Sequence, residues 1–414
     1  MATEKTKYLI VGSSHAAMEA ASAIRMSDVE GTIIMATRDR HPPYSPTVLP
    51  YVVSGKSRPD NIFLRTDSYF GQAGVSYWKE ADLVKLDAKA GKARFADGRE
   101  IIFEKALLAT GAAPFVPPIP GLKESKFHVL RTLDDATGLK EAAGKAKKAV
   151  VLGGGLVGMH AAENLKKAGL AVTIVEMKNQ VLPGYFDAKA ASIISEAFSK
   201  NGIDLKLGRS GMAVDGKVLT LDDGSSIPYD LLLVAVGVKP DFGYLEGSGV
   251  TTAQGIVVDT KMRTSSANVW AAGDVAEAKG FLVEGTIVNG ILPDAVEQGR
   301  IAGMDMAGDH GVKPYPGGVS INTYTFFGNQ AISVGAAGFD PENAEIVRRG
   351  GAANDLKIVI KDNCLIGISA IGDALDAGIM WQMILRKVDL APIKDAFLAD
   401  PLTIGRSVMS KIWR

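Results

Sequence analysis

The chain has 414 residues, 47% of them hydrophobic, with 46 glycines and 46 basic against 46 acidic side chains; that length predicts two or three domains, and zero formal charge argues against nucleic acid or an anionic membrane as the main partner. A single cysteine, Cys364, excludes an intrachain disulfide, a redox-active cysteine pair and a multi-cysteine metal site, and the five histidines include no close pair to hold a metal, so redox chemistry has to come from a cofactor. No apolar run is long enough to cross a bilayer, and MATEKTK leads straight into a strand with no signal-peptide core, so a cytoplasmic protein is expected.

From Tyr8 to Arg25, YLIVGSSHAAMEAASAIR reads as strand, turn and helix, a degenerate nucleotide-binding unit. Gly12 is followed by Ser14 and Ala17 where glycines are usual, and both are small enough for the backbone to approach a phosphate. His15, at the helix start, is either a group that helps neutralise a pyrophosphate or a turn residue facing solvent. The next strand, GTIIMA, ends at Thr37 instead of an acid, with Asp39 the nearest carboxylate, so the adenosine ribose contact stays open. A proline-rich loop turning into a short helix follows (His41 to Lys56), then a hairpin turning at FADGRE, then the strand ALLATG from Ala106 to Gly111. Four prolines in AAPFVPPIPG mark the first domain boundary.

Phe127 to Lys148 reads as a strand and a capped helix. Ala149 to Glu176, AVVLGGGLVGMHAAENLKKAGLAVTIVE, is a complete dinucleotide-binding unit of strand, glycine turn, helix to Lys167, stop at Gly169, strand and terminal acid. Gly153 permits the tight turn, Gly155 lets the backbone approach a pyrophosphate, and Gly158 allows helix and strand to pack closely, so that an anion rests on the helix start at Leu156 and Val157. Glu176, 21 residues after Gly155, suits a ribose 2′-OH and repels a 2′-phosphate, which points to NAD, although Lys178 two positions on works against an absolute preference. A helix and strand, a hairpin over MAVDGKVLTLDDGSSIPY, and the buried strand LLLVAVGVKPD (Leu231 to Asp241) come next. Its exit VGVKP, with Gly237, echoes TGAAP at Gly111 to Pro114, so the chain carries an internal repeat of two nucleotide units. The final third contains the strands INTYTFF, AISVGA, LKIVIKD and CLIGISAI and two C-terminal helices, with Cys364 a bystander in the polar turn DNC.

Two three-layer, Rossmann-like α/β domains of this kind, the second inserted into the first, resemble the pyridine nucleotide-disulfide oxidoreductase fold. The resemblance is specific at ANVWAAGDVAEA (Ala267 to Ala278), which is similar to the family's second FAD fingerprint: an Asp, here Asp274, meets the ribityl chain after a close-approach glycine, here Gly273. It continues at LPDAVEQGRIAGMDMAG (Leu292 to Gly308), where the family aims a helix N-terminus at the flavin pyrimidine end. The resemblance implies an FAD-binding domain at 1–113 and 240–317, an NAD-binding domain at 114–239, and a C-terminal α/β interface domain at 318–414 for dimerisation or partner docking. The FAD contacts it implies are Gly12, Ser14, His15, Ala17, Thr110, Gly111, Gly273, Asp274, Asp294 and Ala295; the NAD contacts are Gly153, Gly155, Leu156, Val157, Gly158, Glu176 and Gly237.

Members that pass electrons to a disulfide or a cysteine sulfenate carry cysteines where this chain has SPTVLPYVVSG, so the chain resembles the cysteine-free branch of ferredoxin, rubredoxin and nitrite reductase type, with an RTLDDA-like lead-in at Arg131 to Ala136. Within that branch, VGSSHAAMEA, PPYSPTVLPYVVSGKS, HVLRTLDDA, GLVGMHAAENL and the ending MSKIWR resemble the FAD-containing subunits of NADH-dependent, multi-subunit 2-oxoacid and tungsten aldehyde oxidoreductases of anaerobic aromatic metabolism. That resemblance implies a hetero-oligomer with an iron-sulfur electron-transfer subunit and a thiamine-diphosphate or tungsten catalytic core. The alternatives are a free-standing NADH:ferredoxin or rubredoxin reductase or NADH oxidase, and an NADH-responsive flavoprotein binding module. Hydride transfer needs no acid-base pair and none is apparent. His160, where family members often have Glu, is a candidate to hydrogen-bond the nicotinamide carboxamide or to pack at a domain interface. Thr47 and Ser45, near the place of the missing cysteine, are candidates to line the flavin's other face.

Overall fold

Short strands apolar on both faces alternate with helices whose buried sides are rich in alanine and glycine, a pattern that only a parallel sheet covered by closely packed helices satisfies. The computed structural model describes residues 3–412, so Trp413 and Arg414 of the MSKIWR ending lie outside the described residues. Two compact units result: one from Met1–Ser45, Asp60–Ala113 and Lys239–Gly318, the other from Pro46–Pro59, Pro114–Val238 and Val319–Arg414. The 114–239 and 318–414 segments, read from the sequence as separate domains, thus fall in one unit except for their edge residues Lys239 and Gly318. Residues 46–59, read as part of the first domain, fall there too.

In the first unit five strands run parallel in the order Val75–Trp78, Ile33–Ala36, Glu4–Val11, Glu100–Leu108, Val269–Ala271. The expected hairpin, Lys92–Phe95 with the start of Glu100–Leu108, extends this sheet antiparallel together with Leu83–Asp87. One face is covered by the helices His15–Ser27 and Leu292–Ala307. A Cβ on Gly299 would lie 2.2 Å from the Ala16 carbonyl oxygen, and one on Gly303 2.4 Å from that of Ala20. Only hydrogens fit there, so the two helices meet backbone to backbone, which explains why Ala16, Ala17, Ala20, Ala21 and Ala23 are all buried.

In the second unit the strands Ile203–Leu207, Ala171–Glu176, Lys148–Leu152 and Leu231–Val234 form a parallel sheet. The three-stranded antiparallel sheet Gly211–Asp215, Val218–Leu221, Ser226–Pro228 supplies Val214, Leu219 and Leu221 to a cluster with Val150, Leu152, Val175 and Leu232. Residues 46–59 belong to this unit because the helix Leu49–Val53 buries Leu49, Pro50, Val52 and Val53; it packs on the helices Leu133–Ala143 and Leu156–Lys167, and the Asn164 side-chain amide donates to the Pro50 carbonyl at 3.1 Å.

The C-terminal part is a five-stranded antiparallel sheet, ordered Ile321–Phe326, Asn329–Gly335, Cys364–Ile371, Asp355–Lys361, Glu345–Gly350. The strand Glu345–Gly350 has no counterpart in the sequence reading, and among the described residues the C-terminal helices number three, Ala377–Leu385, Lys394–Ala399 and Pro401–Ile412. Pairing places Asn322, Ser333, Ser369, Lys357 and Arg348 in one row across all five strands. This polar row is buried at its centre. Lys357 is fully buried, its ammonium 2.5 Å from Asp340, 3.2 Å from Asp187 and within reach of the Ala337 and Phe339 carbonyls. Arg348 pairs with Asp187, and the fully buried Asp355 pairs with Lys189 at 3.0 Å. Because Asp187 also caps the helix Ala188–Lys200, the network ties that helix to the C-terminal sheet.

Candidate functional site

Both glycine turns form where a parallel strand feeds a helix, and at Gly12, Gly153 and Gly158 the backbone leaves no room for a side chain. Gly12 has φ +122, and a Cβ there would lie 2.1 Å from the Ala109 carbonyl oxygen; Gly153 has φ +105, with the Ala235 carbonyl oxygen at 2.4 Å. A Cβ on Gly158 would lie 2.0 Å from the Gly153 carbonyl oxygen, so this position sets how closely helix and strand approach. Gly155 and Gly237 face open space. Leu156 and Val157 begin the second helix, with Val157 exposed.

The starts of these helices share a property with that of Leu292–Ala307. Of the helices of nine residues or more, four are capped by a side chain: Thr132 accepts from Asp135 N, Asp187 from Ala190 N, Asp376 from Ile379 N and Asp400 from Thr403 N. The other three, beginning after Ser14, Gly155 and Ile291, have no side-chain cap among the described residues. Their first-turn N–H groups are therefore left for an external acceptor, and the helix dipole favours an anionic one.

In the first unit the structure brings together Ser14, His15 and Ala17 at the first helix start, Thr110 and Gly111 after the strand Glu100–Leu108, and Gly273 and Asp274 after Val269–Ala271. His15 is partly exposed, but its Nε2 is buried with no hydrogen-bond partner among the described residues, and burial lowers its pKa. Ala17 is fully buried in the helix contact. The Thr110 hydroxyl and the Tyr244 phenol are 2.9 Å apart, and burial pushes Tyr244 up to about 12. Gly273, at φ +78, sits within van der Waals reach of Ala16 and Ala295 and donates its N–H to Gln298 at 2.8 Å. Asp39 is engaged locally, accepting from the Tyr44 hydroxyl at 2.6 Å and from His41 N. Thr37 is buried and accepts from Ser13 and from Asp39 N. Hydroxyls thus stand at the strand end where such units usually present an acid.

Asp294 is an interior carboxylate. It lies in the first turn of its helix but is only 3% exposed, accepting from Asn289 at 2.5 Å and facing Tyr315, and burial raises its carboxyl to about 6. The sequence reading missed Gln298, Tyr315 and Asn289, which surround it; the signal was a glutamine beside Gly299 on an otherwise small-residue helix face.

In the second unit Glu176 is 8% exposed, its carboxylate accepting from Gly154 N at 2.7 Å and Lys178 N at 2.8 Å. Both oxygens keep a lone pair free. His160 packs beside Tyr324, ring centroids 4.5 Å apart, and near Tyr51 at 6.4 Å; burial depresses its pKa. One turn on, Glu163 accepts from Phe327 N at 3.0 Å and from Lys167 at 2.5 Å. The glycine-turn helix is thereby fastened to the C-terminal sheet. Thr47 is exposed in the same unit as His160, whereas Ser45 is buried in the first.

No helix among the described residues is long and apolar enough to cross a membrane. The family model described as pyridine nucleotide-disulphide oxidoreductase matches residues 6–311. The NADH-dependent phenylglyoxylate dehydrogenase subunit epsilon of Aromatoleum evansii is 53% identical over 420 aligned residues, covering 100% of this chain and 99% of that one. The NADH oxidase of Methanocaldococcus jannaschii is 31% identical over 72% of this chain and 70% of its own length. Among solved structures, a ferredoxin reductase from Rhodopseudomonas palustris matches with a TM-score of 0.80 and 26% identity, over 89% of this chain and 91% of that one.

Proposed function

The chain belongs to the pyridine nucleotide-disulphide oxidoreductase family and is an FAD-dependent NAD(H) oxidoreductase without a redox-active disulfide; from that premise we propose that it is the flavoprotein subunit of a cytoplasmic multi-subunit 2-oxoacid or aldehyde oxidoreductase of anaerobic aromatic metabolism, exchanging electrons between iron-sulfur partner subunits and NAD. The observation that carries this reading is the 53% identity to the epsilon subunit across the whole chain, including the residues beyond 311 that the family model leaves out. FAD, when bound, handles electrons singly on one side and as a hydride on the other.

The residues of the first unit fit such a group. Gly12, Ser14, His15 and Ala17 form an uncapped helix start with a buried, unpartnered imidazole Nε2, and Thr110, Gly111, Gly273, Asp274, Asp294 and Ala295 lie on the neighbouring strand exits and helix start. Of these, Asp294 acts from inside, through its neighbours, because its carboxylate is buried. Gly153, Gly155, Leu156, Val157, Gly158, Glu176 and Gly237 form the NAD site, where the open space at Gly155 and Gly237 leaves room for backbone approach. His160 serves this site by packing the helix onto Tyr324.

Two backbone donors hold the Glu176 carboxylate in place, ready to accept a ribose 2′-OH and to repel a 2′-phosphate. Glu176→Ala is expected to shrink the ratio of kcat/KM for NADH over NADPH by about 10-fold, the loss of one charged hydrogen bond, measured by steady-state NAD(P)H oxidation with a viologen acceptor; an unchanged ratio removes Glu176 from the site.

The reading as a whole is tested by purifying the native protein, assaying NADH oxidation with a viologen dye and recording which polypeptides and metals co-elute. Co-elution with iron-sulfur subunits and a thiamine-diphosphate or tungsten core supports it. A yellow protein that elutes alone with high NADH:oxygen or ferredoxin turnover overturns it in favour of a free-standing reductase, the reading that the similarity to an NADH oxidase favours.

A further inference from the structure

The helix Leu292–Ala307 buries small or aliphatic side chains against the first unit, with the exception of three polar ones, Asp294, Gln298 and Asp305. Asp305 has an evident structural task, accepting from Arg263 and from the Trp270 indole. Gln298 does not resemble it. It is 2% exposed, and its carboxamide oxygen accepts one bond, from the N–H of Gly273. An apolar residue would fill the same space at lower desolvation cost. What only an amide or acid can do at that place is hold the Gly273 N–H inward.

Polar neighbours surround that amide. Tyr315 is 2% exposed, and its phenol faces both Gln298 and Asp294 without completing a hydrogen bond to either among the described residues. Asp294 is in turn fixed by Asn289 and roofed by Gly318, where a Cβ would lie 2.4 Å from the carboxylate. Gly273 is therefore held from three sides: by the Gln298 amide, by Ala16 of the first helix at 3.3 Å from its Cβ position, and by Ala295 at 3.7 Å. Its φ of +78 directs the chain into Asp274, which lies close to Gly290.

We propose that Gln298, seated against Tyr315 and Asp294, is a positioning residue for the flavin site, holding the Gly273–Asp274 turn in the orientation that FAD binding uses. The proposal rests on the reading above that this turn contacts FAD. Its test uses the full chain, with Gln298→Met, which keeps volume and removes both hydrogen-bonding groups, and Tyr315→Phe. FAD affinity is read by quenching of flavin fluorescence, flavin geometry by visible circular dichroism, and folding by the thermal midpoint of the apoprotein.

Gln298→Met is expected to weaken FAD binding about 10-fold or more and to alter the visible dichroism, while the apoprotein midpoint stays within about 3 °C of the wild type. Tyr315→Phe is expected to move affinity and dichroism in the same direction by less. FAD affinity within about twofold of wild type and unchanged dichroism in Gln298→Met overturn the proposal. If that variant fails to fold, Tyr315→Phe decides alone, and unchanged affinity and dichroism there overturn it equally. Failure of the functional reading looks different: the wild-type chain itself takes up no FAD.

Discussion

Lys357→Met is expected to lower the stability of the second unit by about 1–3 kcal/mol, the cost of leaving the Ala337 and Phe339 carbonyls without their buried donor. Lys357 is fully buried, and its loss leaves Asp187 with Arg348 alone and Asp340 unpaired at that point. The indole of Trp381, which donates to the Val319 carbonyl at 2.9 Å, is a natural reporter for urea unfolding of this unit. Lys200→Met is the control. Its pair with Glu196 is exposed on both sides, so the same measurement should move by less than about 0.5 kcal/mol. Equal effects from the two substitutions would show that the buried network contributes no more than a surface pair.

Gly158→Val is expected to cost about 100-fold in kcat/KM for NADH, the scale of a misplacement of about 1 Å at a site that works by positioning. The added side chain starts 2.0 Å from the Gly153 carbonyl oxygen, so helix and strand have to part and the turn between them has to move. The first unit contains neither residue. FAD content and reduction by dithionite should therefore match the wild type, while reduction by NADH in a stopped-flow experiment slows. Loss of FAD together with NADH reactivity would place the fault in folding instead of in the nucleotide turn.

The turn at Gly153, Gly155 and Gly158 was legible in the sequence because Gly153 and Gly158 answer local constraints, a positive φ and a carbonyl five residues back along the chain. So was the capped helix at Leu133, where Thr132 and Asp135 form a reciprocal capping box. Long-range demands were not legible. Nothing in HPPYSPTVLPYVVSGK says that its helix packs on residues 133–143 and 156–167, because an apolar face does not name its partner. The resemblance implies Asp294 as an FAD contact, and nothing in LPDAVEQG says that Asn289, Tyr315 and Gly318 enclose its carboxylate. Lys357 in LKIVIKD follows strand alternation in a way that suggests a solvated face; its burial comes from Asp187, 170 residues earlier. Nor does the sequence show that Asp39, the carboxylate nearest Thr37, is engaged by the Tyr44 hydroxyl and His41 N.

The parallel strand Val269–Ala271 and the glycine-faced helix Leu292–Ala307 also bear on how the protein is made. Val269 leaves the ribosome 161 residues after Leu108, whose strand it completes. At about 5–20 residues per second, that is a wait of roughly ten to thirty seconds. During it the nascent chain carries an open strand edge at Ala106–Leu108 and an alanine-rich helix with nothing yet to cover it. The sheet of the first unit is thus finished only after the inserted segment 114–238 has been synthesised, so a ribosome stalled before residue 269 would hold a chain whose earliest third is still unable to close.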